Sequence, residues 1–185
     1  MLKNFAGILL FFAVLSVFFA FGACSGDEKP VQQSQIMTNK QKKDSIEKIN
    51  RQLISQEKEA INRYIEKSGN TFAETGTGLR YYIVNQGDNE PIKTGDIVAI
   101  KYEKRLLNGD VVESSEEKGN KVFVVGHGGV ESGLEEAIML LHKGDEAEIV
   151  IPSRLAYGLT GDGNRIPCMA TLVYKLKVIE HQTNY

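Results

Sequence analysis

The alternation of apolar and polar positions divides the chain into four stretches. From Phe5 to Ala23 an apolar run follows the single charge of Lys3. Its 19 residues exceed an ordinary export-signal core and just suffice to cross a bilayer, so residues 1–23 read as a leader, with an uncleaved anchor as the alternative. Ser25 to Asn39 is polar and aperiodic, which makes residues 24–39 a flexible tether. From Asp44 to about Lys67, Ile46, Ile49, Leu53, Ala60, Ile61, Tyr64 and Ile65 recur at steps of three and four, predicting an amphipathic helix within residues 40–70. Asp44 with Glu47 has capping-box spacing for its start, and Ser68-Gly69-Asn70 is a stop. After Gly76-Thr77-Gly78 the period becomes two. Val98, Ile100 and Tyr102 share one face, as do Leu172, Tyr174, Leu176 and Val178, while Lys175 and Lys177 share the other; these are half-buried antiparallel strands. Leu79 to Asn85, Val111 to Ser114, Val122 to Val125 and Glu146 to Pro152 add short strands, and Asn108-Gly109 signals a type I′ hairpin. One helix interrupts them. Ser132-Gly133-Leu134-Glu135 has capping-box spacing, and Leu134, Ile138 and Leu141 form an apolar stripe before Gly144. Residues 76–185 therefore read as one α+β domain, a helix set against an antiparallel sheet.

Composition agrees with this division. With 185 residues, 42% hydrophobic and 25% charged, the chain suits one compact domain plus appendages. A net charge of -2 gives no concentrated basic face, so nucleic acid is excluded as a partner. Gly22-Ala23-Cys24 resembles the lipobox of bacterial lipoproteins, in which the chain is cut before the cysteine and the sulfur is lipidated. Cys24 is then the lipidation site, the chain is held on a membrane through a lipid anchor, and the body faces the periplasm or the cell surface. Cys168 is left as the remaining thiol, so no intramolecular disulfide forms. The helical stretch 40–67 carries 8 basic and 5 acidic residues. Its apolar stripe either packs on its own domain or joins a partner, such as a second copy through residues 44–67.

Several chemistries drop out. His127, His142 and His181 have no Cys or His companions at ligand spacing, which argues against zinc. Gly126-His127-Gly128-Gly129 lacks the Gly-Lys-Ser/Thr of a phosphate loop and any nucleophile elbow, and reads as loop geometry. Glu116-Glu117 and Glu135-Glu136 are adjacent in sequence and do not converge on a bond.

The order of motifs from Leu79 to Glu180 resembles the FKBP-type peptidyl-prolyl isomerases. It rests on Gly95-Asp96 with Val98 to Tyr102, Asn108-Gly109 leading to Glu113-Ser114-Ser115, and Gly126 through Gly133-Leu134-Glu135-Glu136. Lys143-Gly144-Asp145, Ile151-Pro152, Leu155-Ala156-Tyr157-Gly158, Ile166-Pro167 and Ala170 to Tyr174 continue it. The resemblance implies a curved antiparallel sheet wrapped around one short helix, with an apolar cleft between them that binds proline-containing polypeptides and needs no cofactor or metal. It implies catalytic roles for Tyr157, Glu113 and Tyr102, and substrate contacts from Val112, Val130, Glu131, Leu134, Ile166 and Tyr174. Backbone N–H groups near Val130 and Glu131 and the Tyr157 hydroxyl would be the donors to the twisted carbonyl. An anchor and a helix before such a domain look like the gliding-motility-associated isomerase lipoproteins of Bacteroidetes.

Departures from the family pattern qualify this. Val112 and Lys121 stand where phenylalanines are common, Leu134 where a tryptophan is common, and Glu131 where an apolar residue is common; Glu113 replaces an aspartate, and Cys168-Met169 replaces the usual pair after Ile166-Pro167. Lost wall area at ~25 cal/mol per Å² predicts slow turnover and a larger loss of affinity for the macrolide tacrolimus. The expected function is a prolyl isomerase acting on exported proteins at the cell envelope, with a non-catalytic chaperone or structural binding module as the alternative.

Overall fold

The computed structural model describes residues 38–87 and 90–183. The leader, Cys24 and most of the tether lie outside the described residues. The chain divides into two units, residues 1–43 and 44–185. In the first, the described residues form the opening turn of α1 (Asn39–Ser68). Thr38 and Gln41 cap that turn reciprocally: Thr38 N–H donates to Gln41 Oε1 at 2.9 Å, and Gln41 N–H to Thr38 Oγ1 at 3.3 Å. The helix thus starts five residues before Asp44. Thr-x-x-Gln satisfies two otherwise orphaned amides, which Asp44 and Glu47 do not do inside a continuous helix.

The second unit is an antiparallel sheet of β1 (Ala73–Glu74), β2 (Arg80–Asn85), β3 (Ile97–Leu106), β4 (Val111–Ser114), β5 (Lys121–Val124), β6 (Glu146–Ile151) and β7 (Leu172–Gln182). The strand order is β1-β2-β6-β7-β3-β4, with β5 also pairing β3. A short α2 (Ser115–Lys118) follows β4, and α3 (Ser132–Ile138) lies against the inner face. The predicted alternation is present: Val98, Ile100, Tyr102, Leu172, Tyr174, Leu176 and Val178 are buried in one cluster with Leu134, Ile138 and Leu141. The α+β class is therefore as the pattern implied, and the sheet around a short helix is as the resemblance implied.

The outer face is covered by the C-terminal half of α1, where Ile61 packs with Val150 and Val173, flanked by Tyr64, Ile65, Phe72 and Leu107. Polar ties reinforce this seat: Tyr64 donates to Glu148 Oε1 at 2.6 Å. The helix thus packs on its own domain. Its earlier apolar positions, Ile46 and Ile49, remain more than half exposed.

Two local expectations need correction. Gly109 has φ +98° and Asn108 is not in the left-handed region, so the hairpin is not type I′. The hydrogen bonds from Gly109 N to Leu106 O and from Leu106 N to Asp110 O instead close a turn followed by a glycine bulge, which needs left-handed geometry at the glycine only. Helix α3 begins one residue after Glu131, which takes the cap position, so Ser132 and Glu135 form no capping box. Ser132 Oγ donates to Leu155 O, and Glu135 accepts the Gly128 amide. The helix ends at Ile138, well before Gly144, because i to i−3 bonds at Leu140 and Leu141 tighten the chain into turns.

Candidate active site

The inner face of the β3, β4 and β7 end of the sheet, closed by α3 and the segment 153–166, brings the expected residues together. Strand alternation turns Tyr102 inward on β3 and Tyr174 inward on β7, with ring centroids 5.9 Å apart. On β4 a register shift places Lys104 opposite Glu113 and Arg105 opposite Val111, leaving Val112 as the extra residue. That bulge lets the adjacent Val112 and Glu113 both face the hollow, which a regular strand would forbid. Leu134 forms the floor with no accessible surface. It reaches that depth because α3 approaches β6 at Gly133, where a Cβ would collide with Ile151 and Leu155. Ile166 is fixed by its amide, which donates to Asp162 Oδ1 at 2.7 Å, and Tyr157 and Val130 are partly buried at the rim.

The hollow also contains a residue that the sequence reading passed over. Lys104 continues the inward series 98, 100, 102 and is 1% exposed. Its ammonium donates to Glu131 Oε1 at 3.0 Å and to the Tyr157 hydroxyl at 3.2 Å, and lies 3.6 Å from Glu113 Oε1. It also sits over the rings of Tyr157 and Tyr174, at 5.3 and 5.7 Å from their centroids. Tyr174 donates to the same Glu131 oxygen at 2.9 Å. Glu131 Oε2 is buried with no hydrogen-bond partner. A second cluster lies toward solvent: Tyr102 donates to Glu113 Oε1 at 2.5 Å, and Lys121 pairs with that oxygen at 3.2 Å while lying over the Tyr102 ring.

The electrostatics follow from these contacts. Burial works against charge on both Lys104 and Glu131, but their mutual attraction and hydrogen bonds outweigh it, raising the lysine pKa and lowering the carboxyl. Glu113 is opposed by burial in the same way and is nonetheless lowered, by the Tyr102 hydrogen bond and by Lys104 and Lys121. Burial, with Glu113 beside Tyr102 and Glu131 beside Tyr174, pushes both tyrosine hydroxyls well above their ordinary range. All nine expected side chains thus converge, but around an ion pair rather than an empty apolar slot. Among the described residues no group of His, Cys, Asp and Glu could hold a metal ion.

Comparison with known proteins decides the family. The model of the FKBP-type peptidyl-prolyl cis-trans isomerases matches residues 88–179. The chain is 34% identical over 108 residues to FK506-binding protein 2 of Yarrowia lipolytica, covering 58% of this chain and 75% of that protein. It belongs to the FKBP-type peptidyl-prolyl cis-trans isomerase family. It is also 40% identical over 107 residues to the probable FKBP-type isomerase FkpA of Neisseria meningitidis, covering 57% of this chain and 39% of that one. The chain spans between 39% and 61% of the length of the first curated relatives that it matches. A crystal structure of a peptidyl-prolyl cis-trans isomerase from Pseudomonas syringae superimposes with a TM-score of 0.62 at 23% identity, covering 72% of this chain and 96% of that one. That likeness speaks to the FKBP fold.

A broad cleft of about 780 Å³ on the opposite face of the sheet is lined by Tyr82, Lys101, Glu103, Glu148, Lys175 and Lys177 among others. Of the nine expected residues only Tyr102 lines it, so the inner hollow is the candidate site.

Proposed function

We propose that this protein is a slow peptidyl-prolyl cis-trans isomerase that acts on proline-containing segments of exported proteins at the cell envelope, held there by a lipid on Cys24. The observation that carries the reading is the convergence of Tyr102, Val112, Glu113, Leu134, Tyr157, Ile166 and Tyr174 on one hollow of an FKBP fold. An Xaa-Pro bond turns slowly because rotation breaks amide resonance, a barrier of about 18 to 20 kcal/mol. A water-poor hollow disfavours the polar planar amide more than the twisted transition state, and an aimed donor such as the Tyr157 hydroxyl holds the rotated carbonyl. The envelope location, with the gliding machinery as its setting, is supported by the leader and lipobox pattern of residues 1–24. Exposed Ile46 and Ile49 support pairing of α1 with a second copy.

Lys104 favours a second reading, a non-catalytic binding module, because a filled hollow gives a prolyl ring no seat. Proline-limited refolding of a test protein separates the two. Acceleration by the wild type that Tyr157→Ala largely removes supports catalysis; suppressed aggregation at unchanged rate supports the module.

A further inference from the structure

We propose that Lys104 is a built-in occupant of the prolyl hollow, locked by Glu131, and that a client's proline enters only when the lysine swings out to Glu113. The inference rests on the reading of this hollow as the prolyl site. Its first support is position: β3 alternation carries the side chain inward beside Tyr102, with the ammonium over the rings of Tyr157 and Tyr174. Its second is Glu131. A carboxylate 9% exposed beside the floor of an apolar core is explained by the ammonium at 3.0 Å and the Tyr174 hydroxyl at 2.9 Å, both of which use the same oxygen. The other oxygen is buried with no hydrogen-bond partner.

The third support is that the lysine has somewhere to go. Glu113 lies 3.6 Å from the ammonium, and its side chain is 28% exposed against 5% for Glu131. Rotation of the stem toward the rim gives the ammonium a second carboxylate in place of the first, while Glu131 keeps the hydrogen bond from the Tyr174 hydroxyl. The binding-competent fraction of the protein then sets the apparent affinity, which equals the intrinsic affinity reduced by that fraction. Replacing the plug removes this penalty and strengthens prolyl binding even if no other contact changes.

The test uses the full chain in detergent and a tetrapeptide with Leu before Pro. Calorimetric titration compares wild type with Lys104→Gly/Glu131→Ile, which removes both charges together, and with the milder Lys104→Ala/Glu131→Gln should the first not fold. The expected result is at least a tenfold fall in Kd for the folded double variant. Equal or weaker binding overturns the proposal. In wild type, the Lys104 ammonium resonance is expected to move and to exchange faster at peptide saturation, and an unmoved resonance also overturns it. The refolding rate, measured in parallel, isolates the underlying reading: tighter binding with no acceleration of proline-limited refolding in either protein keeps the plug and removes the isomerase.

Discussion

Glu57 on α1 accepts two hydrogen bonds with one carboxylate oxygen, from the Ser153 amide at 2.6 Å and from the Thr171 hydroxyl at 2.8 Å. The two donors flank the segment that carries Tyr157 and Ile166, so a helix on the outer face steadies the connection that closes the hollow on the inner one. Glu57→Ala leaves the Ser153 amide without this acceptor and is expected to destabilise the domain by about 1–3 kcal/mol, read from urea denaturation. Glu57→Gln keeps an acceptor and should recover most of that loss.

The buried pair makes a sharper prediction about stability. Glu131→Ala leaves the Lys104 ammonium with the Tyr157 hydroxyl and the more distant Glu113, and should cost about 1–3 kcal/mol. Removing both charges with apolar residues of similar size, Lys104→Met/Glu131→Leu, should restore stability to near or above wild type. A double variant as unstable as the single one would show that the pair is not the coupled unit its geometry indicates.

Acid dependence follows from the same contacts. Glu131 and Glu113 both titrate below their ordinary value of 4.5 in the folded protein. Because the folded pKa values lie below the unfolded ones, this stability is present above about pH 4.5 and is lost as pH falls through the folded values. At the alkaline end Lys104 is raised above 10.5, so its contribution persists through 10.5 and disappears as pH rises past the folded value. Thermal melts from neutral to strongly acidic pH should show a drop that is reduced in Lys104→Met/Glu131→Leu.

Lipidation is checked by metabolic labelling with a fatty-acid analogue. Incorporation is expected in the wild type and should vanish in Cys24→Ser. Label retained in that variant would remove the anchor from the account.

Much of the fold and of the candidate site is legible in the sequence. The two-residue period marks Val98, Ile100, Tyr102 and the β7 series as core, and the nine residues that the family resemblance implies lie around one hollow. Lys104 obeyed the same period and was passed over, since a lysine is normally a solvated position. Its partners lie 27 and 53 residues further along the chain, and no local pattern pairs them. Glu131 was noted only as a departure from the family; extending the β3 alternation by one step would have supplied its counter-ion. The role of Glu57 was hidden for a related reason, because its donors are 96 and 114 residues away. The Asn108-Gly109 signal located its hairpin correctly and mistook the turn type, since a single glycine at positive φ satisfies a bulged turn as well.

The most direct measurement for the central claim is amide chemical-shift mapping of the labelled chain titrated with a Leu-Pro tetrapeptide. Shifts are expected at Val112, Val130, Glu131, Leu134, Tyr157 and Ile166, around the inner hollow. Shifts confined to the outer cleft around Tyr82, Lys101, Glu103 and Lys175, or no shift at saturating peptide, would contradict it.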